Sequence, residues 1–353
     1  MNSLPEHEPD FTAPTPEESE GSGETHVSDA EPAMEWAPEA NQLLAPASEA
    51  VNTFSGVENS ERLPEPYGGE VPLFQSWYQP EIRPPVRTPH LGHLAILGVF
   101  AIFGLLCASI LIRTALHYHW YGVTTAQTAI TDIHYTLGSE AVLYLITFGL
   151  CLVFFPMIWH KSFFAGLQWN GGVAIHLRKR LFVIASVCFG LALVNGILLP
   201  GPKDAPIDKI FRTPGAAWML FAFGVTFAPF FEEMVFRGFL LPSLCTAFDW
   251  IHEKVSDAPV RSLDENGQPR WSLTSMAIAS IVTSLPFAGM HAAQTGYSWG
   301  PFILLVGVSL VLCWARLSTR SLAASIMVHA SYNFLLFSLM MLGTGGFKHL
   351  DKM

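Results

Sequence analysis

The sequence predicts an all-α polytopic membrane protein with about eight transmembrane helices, preceded by a disordered acidic N-terminal tail. Half of the 353 residues are hydrophobic and only 14% are charged, which leaves too little polar surface for a soluble enzyme. The charges are also unevenly distributed, since residues 1–90 hold 17 acidic and 3 basic residues, whereas residues 91–353 hold 12 and 16. The chain is therefore expected to divide into a tail, 1–90, and a transmembrane domain, 91–353.

The tail lacks the apolar residues that a folded core requires. Residues 1–90 contain 14 of the 25 prolines, and their apolar runs rarely exceed two residues. Because such a segment cannot bury enough apolar surface to offset the entropy of ordering it, we expect it to be disordered. Its strongly negative charge also argues against nucleic acid as a partner.

From residue 91 onward, long apolar stretches alternate with short polar loops. A helix needs about 20 residues to cross ~30 Å of hydrocarbon. The stretch 271–315 is long enough for two crossings separated at Gly296 and Pro301, and Pro229 predicts a bend within 213–248. The predicted helices cover residues 94–114, 140–159, 181–200, 215–230, 232–249, 273–293, 300–317 and 321–342.

Basic residues near the first two spans predict the orientation of the chain. Arg83 and Arg87 precede the first span, and the second loop, 160–180, is rich in Lys and Arg. Under the positive-inside rule both belong in the cytoplasm, so we expect a cytoplasmic tail. Since the sequence carries no targeting signal, we expect a bacterial plasma membrane. Eight crossings would return the C-terminus to the cytoplasm. Against the same rule, they would leave outside Lys203, Lys209, Arg212, Arg316 and Arg320.

Ionisable side chains within apolar helices are costly and mark functional sites. Three of the predicted helices carry such residues or a carboxamide: Glu232, Glu233, Arg237, His291, His329 and Asn333.

The spacing of these polar residues predicts that they meet. Glu233 and Arg237 are four residues apart, so they share a helix face and can pair, while Glu232 is rotated away by about 100°. His329 and Asn333 repeat the four-residue spacing. Because placement against lipid would be costly, we expect the three polar faces to turn toward one water-filled cavity. Carboxylates, imidazoles and a carboxamide around water can deprotonate it and hold an oxyanion, as peptide-bond hydrolysis requires.

The same residues resemble the three signatures of the CPBP family of intramembrane proteases, which includes CAAX proteases, bacteriocin-processing proteins and the Ras-converting endopeptidases of eukaryotes. The resemblance covers about residues 215–342 and implies a helical core with a conical cavity. It also implies that Glu233 and Arg237 support the catalytic site. The motifs, in chain order, are Glu232-Glu233-x-x-x-Arg237, Phe287-x-x-x-His291 and His329-x-x-x-Asn333.

The resemblance assigns a role to each of the remaining motif residues. Glu232 and His291 are implied to activate the attacking water, and His329 and Asn333 to stabilise the tetrahedral oxyanion. Two versions of this chemistry stay open. Without metal, Glu232 is the base; with zinc, Glu232, His291 and His329 form a three-ligand set with one position open for water. The ligand types favour the zinc version.

Other protease classes and other functions require sequence motifs that can be checked here. A zincin is excluded because no His-Glu-x-x-His occurs, and an aspartyl dyad because no Asp lies in the middle of a span. Gly296-Tyr-Ser298-Trp-Gly300 matches a serine-hydrolase pattern but falls between membrane helices. A proton-coupled transporter and a non-catalytic membrane binding or immunity protein remain as alternatives. The expected partners are the lipid bilayer and a peptide or prenylated-protein substrate.

Overall fold

The computed structural model describes residues 87–199, 215–265 and 267–347, so residues 1–86 of the predicted tail lie outside the described residues. Within the described residues, seven helical segments are long and apolar enough to cross a bilayer, which confirms the predicted fold class. The first three are α1 (Leu91–His117), α2 (Ile133–Trp159) and α3 (Arg178–Leu198). The fourth is the composite segment Ala216–Val255, and the last three are α7 (Leu273–Met290), α8 (Trp299–Thr319) and α9 (Leu322–Gly343).

The composite segment accounts for the difference between eight predicted and seven observed spans. It consists of α4 (Ala216–Val225), α5 (Phe227–Glu233), a π-helix (Met234–Leu240) and α6 (Leu241–Val255). The helices predicted over 215–230 and 232–249 are thus parts of one membrane-crossing segment. The chain bends at Thr226 rather than at Pro229, because Pro229 lies in the first turn of α5, where its missing N–H would have no helical partner anyway.

Helix capping explains the largest error in the predicted boundaries. The second helix begins at Ile133 instead of residue 140, because the Asp132 side chain accepts hydrogen bonds from the backbone N–H groups of His134 and Tyr135. The predicted break within 271–315 is present, since α7 ends at Met290 and α8 begins at Trp299.

The last helix, α9, is central to the packing. It contacts α3, α4, α5 and α8, while α7 packs between α6 and α8, and α1 packs along α2. The pairing of α1 with α2 is close because Gly104 lacks a side chain: a Cβ there would lie 2.9 Å from the Leu143 carbonyl oxygen. This arrangement brings α5, α7 and α9, which carry the three motifs, into one bundle.

One end of the bundle, which we call the basic end, holds the start of α1, the loop 160–177, the loop 256–272 and Arg320. Hydrogen bonds join these parts: Arg87 Nη2 lies 2.6 Å from Glu253 Oε1, and Asn170 Nδ2 lies 2.6 Å from the Arg320 carbonyl oxygen. Seven crossings therefore put Arg320 at the same end as the loop 160–177. The eight-crossing count had put Arg316 and Arg320 at the end opposite the loop 160–177, and the structure corrects this because Arg316 bonds to Gln168 and the Arg320 carbonyl to Asn170.

The opposite end, which we call the mouth end, holds the end of α3, the starts of α4 and α8, and the end of α9. A Cβ on Gly300 would collide with the Leu199 backbone, so glycine permits this close approach of α8 to the end of α3. The rings of Trp218 and Phe347 lie 5.1 Å apart at the same end. The end of α9 at Gly343 thus lies at the end of the bundle opposite the start of α1, whereas eight crossings would have put both at the same end.

Candidate active site

The three motif helices meet at a cavity of about 480 Å³ inside the bundle. Glu232, His291, His329 and Asn333 all line this cavity, whose remaining walls come from α2, α4, α8 and α9. The convergence predicted from helical spacing is therefore present in the structure.

Glu232 points between the two imidazoles. Its Oε2 atom lies 3.9 Å from His291 Nε2 and 3.8 Å from His329 Nε2. This oxygen is buried and has no hydrogen-bond partner within the described residues. A buried polar atom left in this way is costly unless a bound molecule satisfies it.

His291 is held with its Nε2 atom toward Glu232. The residue caps the end of α7, and its Nδ1 lies 2.9 Å from the Phe287 carbonyl oxygen one turn earlier. A carbonyl oxygen only accepts hydrogen bonds, so Nδ1 carries the proton. In the neutral ring, the lone pair is then on Nε2 and faces the cavity.

His329 is oriented in the same manner by a different group. Its Nδ1 lies 3.0 Å from Glu233 Oε1, and its side chain is only 6% exposed. The Glu233 carboxylate accepts the Nδ1–H hydrogen bond, so Nε2 again faces Glu232. Both imidazoles therefore have Nδ1 fixed by a second group and Nε2 available at the cavity.

Behind His329, Glu233 and Arg237 form a fully buried ion pair. Arg237 Nη1 lies 2.7 Å from Glu233 Oε1, and both side chains have zero exposure. Arg237 Nη2 donates to the Oγ and carbonyl oxygens of Ser309 on α8, at 2.7 and 3.1 Å. The guanidinium carbon also lies 4.4 Å from the centre of the Phe287 ring, within the range of a cation–π contact. This ion pair, bonded on several sides, sets the position of the carboxylate that orients His329.

The local helix geometry separates the two adjacent carboxylates. Glu232 and Glu233 are the last residues of α5, and the π-helix Met234–Leu240 follows directly. Successive helical residues point about 100° apart, so Glu232 faces the cavity while Glu233 faces Arg237 and α9. Short π-helical segments are rare and frequently occur at functional sites.

Asn333 lies one turn beyond His329 and bonds to the bend between α4 and α5. Its Nδ2 atom donates to the Gly224 carbonyl oxygen at 2.8 Å. A Cβ on Gly224 would lie 2.8 Å from the Phe337 ring, so that ring would have to move to admit a side chain. A carboxamide has two N–H groups. Only one is used in this bond, so Asn333 keeps a second donor at the cavity wall.

Two polar residues outside the motifs also belong to this region. Ser309 binds Arg237, and the sequence signal for it is a hydroxyl in the middle of an otherwise apolar helix. Glu140 lines the cavity, because the early start of α2 at Ile133 places it inside the helix.

Ser298, the serine of the hydrolase-like pattern, is instead the N-cap residue of α8 and is not among the residues lining the cavity.

The donor atoms around Glu232 are of the kind that zinc prefers. Two imidazole nitrogens with free lone pairs and one carboxylate oxygen match a three-ligand catalytic set. Bonds of about 2.0–2.2 Å would place such ligands about 3.3–3.5 Å apart, closer than the 3.8 and 3.9 Å found here. No group of three His, Cys, Asp or Glu side chains within the described ranges is close enough to hold an ion. The residues therefore fit zinc in type and orientation, and would have to approach by about half an ångström.

Comparison with known proteins gives one match. Residues 214–335, about a third of the chain, match the family model described as type II CAAX prenyl endopeptidase Rce1-like. This range contains all three motifs, so the resemblance noted from their residues is confirmed. No curated protein and no solved structure matches the chain.

Proposed function

Since residues 214–335 match the Rce1-like family of type II CAAX prenyl endopeptidases, we propose that this protein is an intramembrane endopeptidase that hydrolyses a peptide bond of a membrane-associated substrate. The observation that carries the proposal is the buried Oε2 atom of Glu232, which lies without a hydrogen-bond partner among the described residues, between two imidazole nitrogens at 3.8 and 3.9 Å.

Water activation is assigned to Glu232 and His291. A water between their facing atoms donates one hydrogen bond to the carboxylate and has its oxygen directed toward the cavity. Because no donor among the described residues satisfies Oε2, its lone pairs are free to accept the proton as the water oxygen attacks the substrate carbonyl. The same carboxyl group then returns this proton to the leaving amine.

Asn333 and His329 are proposed to stabilise the oxyanion. The second N–H of Asn333 is a preorganised donor, because the first is bonded to the Gly224 carbonyl. For His329, Nδ1 already donates to Glu233, so donation from Nε2 requires the doubly protonated ring. Two carboxylates lie beside this ring, Glu233 at 3.0 Å from Nδ1 and Glu232 at 3.8 Å from Nε2.

A zinc ion would be held by Glu232, His291 and His329. When bound, it would lower the pKa of a coordinated water toward neutrality and polarise the substrate carbonyl. The Glu233 carboxylate would then act on the ligand His329 through Nδ1, as carboxylates commonly do for zinc-bound histidines.

The test of the proposed function is peptide cleavage by the purified protein. In detergent and H₂¹⁸O, a library of prenylated and unprenylated membrane-anchored peptides should yield fragments with one ¹⁸O in the new carboxyl group. Ser298→Ala, the matched control against serine chemistry, should cleave at the wild-type rate. Loss of activity on chelation, restored by zinc, would support the zinc version, and full activity without metal would exclude it. Absence of cleavage across the library would contradict the endopeptidase proposal.

The distribution of charge supports an extracytoplasmic mouth for the cavity. The cavity is lined by the start of α2, by Leu305 and Val308 in the first half of α8, and by residues 329–337 around the middle of α9, and α2 and α8 both begin at the mouth end. Arg113 lies near that end among the described residues, and the sequence between α3 and α4 adds Lys203, Lys209 and Arg212, whereas nine described basic residues lie at the other end. Under the positive-inside rule the basic end is cytoplasmic, so substrate would enter from the outer face. The residues at the basic end are Arg87, Lys161, Arg178, Lys179, Arg180, Lys254, Arg261, Arg270 and Arg320.

Cysteine labelling in intact bacterial cells tests this orientation. In a Cys107→Ser background, whose remaining cysteines are buried, Gln294→Cys places a thiol at the cavity mouth and His176→Cys one in the loop 160–177. A membrane-impermeant maleimide should label Gln294→Cys directly and His176→Cys after permeabilisation. The reverse pattern would show that the cavity opens to the cytoplasm.

A further inference from the structure

Arg316, near the end of α8, is a buried arginine outside the three motifs. It is 2% exposed, and the partners of its guanidinium are neutral oxygens. Nε donates to the Arg237 carbonyl at 3.2 Å, Nη1 to Gln168 Oε1 at 2.8 Å, and Nη2 to the Leu167 carbonyl at 3.2 Å. Burying a cation is expensive, so a residue bonded in this way calls for a specific role.

The Arg237 carbonyl needs an external donor because of the sequence that follows it. In the π-helix, the Leu241 N–H bonds to the Phe236 carbonyl, five residues back. The next N–H in this pattern would reach the Arg237 carbonyl, but residue 242 is proline and has no N–H. The helix thus leaves this carbonyl without a donor, and Arg316 Nε supplies one.

Helix α8 therefore contacts Arg237 at two points, the guanidinium group and the backbone carbonyl. Ser309 and Arg316 are seven residues apart, so they lie two turns apart on one face of α8. Ser309 accepts from the Arg237 guanidinium, and Arg316 donates to the Arg237 carbonyl. Because Arg237 pairs with Glu233, this double contact fixes the rotation of the helix that carries Glu232 and Glu233.

The other side of Arg316 reaches the start of the helix that carries His329. Gln168, which binds Arg316 Nη1, has a left-handed backbone with φ of 55° and accepts the Leu322 N–H through its own carbonyl at 2.9 Å. Leu322 begins α9, and His329 lies two turns further along. Arg316 thus connects the segment of Glu232 to the segment of His329.

We propose that Arg316 is a positioning residue. By donating to the Arg237 carbonyl where the π-helix ends, it fixes the rotation of the helix so that the Glu232 side chain points toward His291 and His329. This inference rests on the proposed function, and it adds a residue of α8 to the residues that orient the Glu232 carboxylate.

The test removes the Arg316 side-chain donor and then supplies a backbone N–H donor at residue 242 of the helix itself. Arg316→Met should lower kcat by about 10- to 100-fold, the range for outer-shell partners, with KM unchanged because the cavity wall is retained. Pro242→Ala restores an N–H at the position that can reach the Arg237 carbonyl. The double variant should therefore recover most of the lost kcat, while Pro242→Ala alone keeps the wild-type rate. A merely structural role of Arg316 in the loop 160–177 predicts no such recovery.

Hydrogen–deuterium exchange provides a readout that does not depend on activity. Peptides covering residues 231–248 should exchange faster in Arg316→Met and return toward wild-type exchange in the double variant. If Arg316→Met fails to fold, Arg316→Lys with and without Pro242→Ala gives the same comparison. Wild-type kcat and exchange in the Arg316 variant, or a loss that Pro242→Ala does not restore, would overturn the proposal. Absence of proteolysis in the wild type would instead overturn the proposed function, and the exchange comparison would still decide the role of Arg316.

Discussion

Glu232→Gln is expected to lower kcat for peptide hydrolysis by about 10²- to 10⁴-fold, the contribution typical of a positioned general base. The substitution keeps the size of the side chain and removes its ability to accept a proton. Oε2 of Glu232 has no hydrogen-bond partner among the described residues, so the amide forfeits no existing bond and the fold should persist. Steady-state cleavage of the best library peptide, with a thermal melt of each preparation, measures both effects.

A matched control and a double variant sharpen this prediction. Glu140→Gln neutralises another carboxylate that lines the same cavity, and it should cleave near the wild-type rate. His291→Ala should be strongly impaired, but the double variant Glu232→Gln/His291→Ala should be little worse than either single variant. The reason is that the two residues act on one water, so their effects are not additive. A Glu232→Gln enzyme that retains wild-type kcat would refute the assignment of the base.

The convergence of the site was predictable because the bilayer makes misplaced polar groups costly. Glu232, His291 and His329 lie on three different helices and are separated by up to 97 positions in the chain. The cost of placing ionisable side chains against lipid nevertheless predicts that they meet. Their helical spacing also indicates which of them share a face. The structure places the facing atoms within 3.9 Å, as that argument requires.

The details that orient these side chains were not predictable in the same way. The π-helix Met234–Leu240 has no hydrophobic period of its own, and it joined two predicted helices into one. Asp132 caps α2 in a segment whose apolar pattern is too weak to be recognised as helix. Ser309 and Arg316 act through hydrogen bonds to Arg237, which depend on how α8 packs rather than on a motif. Periodicity thus gives the faces of helices, whereas hydrogen bonds between helices set their rotation.

Arg237→Met is expected to cause the largest loss of stability in the membrane domain. It removes the arginine partner of Glu233, a carboxylate with zero exposure that keeps the hydrogen bond from His329 Nδ1, and loss of this buried charge pair should cost about 3–5 kcal/mol of unfolding free energy. The hydrogen bonds to Ser309 disappear as well. Reversible unfolding in mixed detergent micelles, followed by tryptophan fluorescence, measures the change.

The matched control is another arginine whose ion pair is solvated. Arg320 pairs with Asp264 at the basic end, and its side chain is 51% exposed. Since exposed pairs contribute at most about 1 kcal/mol, Arg320→Met should be nearly neutral. An equal loss in the two variants would show that burial of the Glu233–Arg237 pair has no energetic consequence.

The double variant Glu233→Gln/Arg237→Met separates the cost of an unpaired charge from the value of the pair. It removes both charges, so much of the stability lost in Arg237→Met should return. The side-chain carbonyl of the new amide can still accept the Nδ1–H of His329, so the orientation of that ring is preserved while the negative charge beside it is removed. We therefore expect a double variant that is folded yet slow, with kcat reduced and KM near the wild-type value. Recovery of both stability and kcat would mean that Glu233 serves the fold alone, and that the charge beside His329 has no part in stabilising the oxyanion.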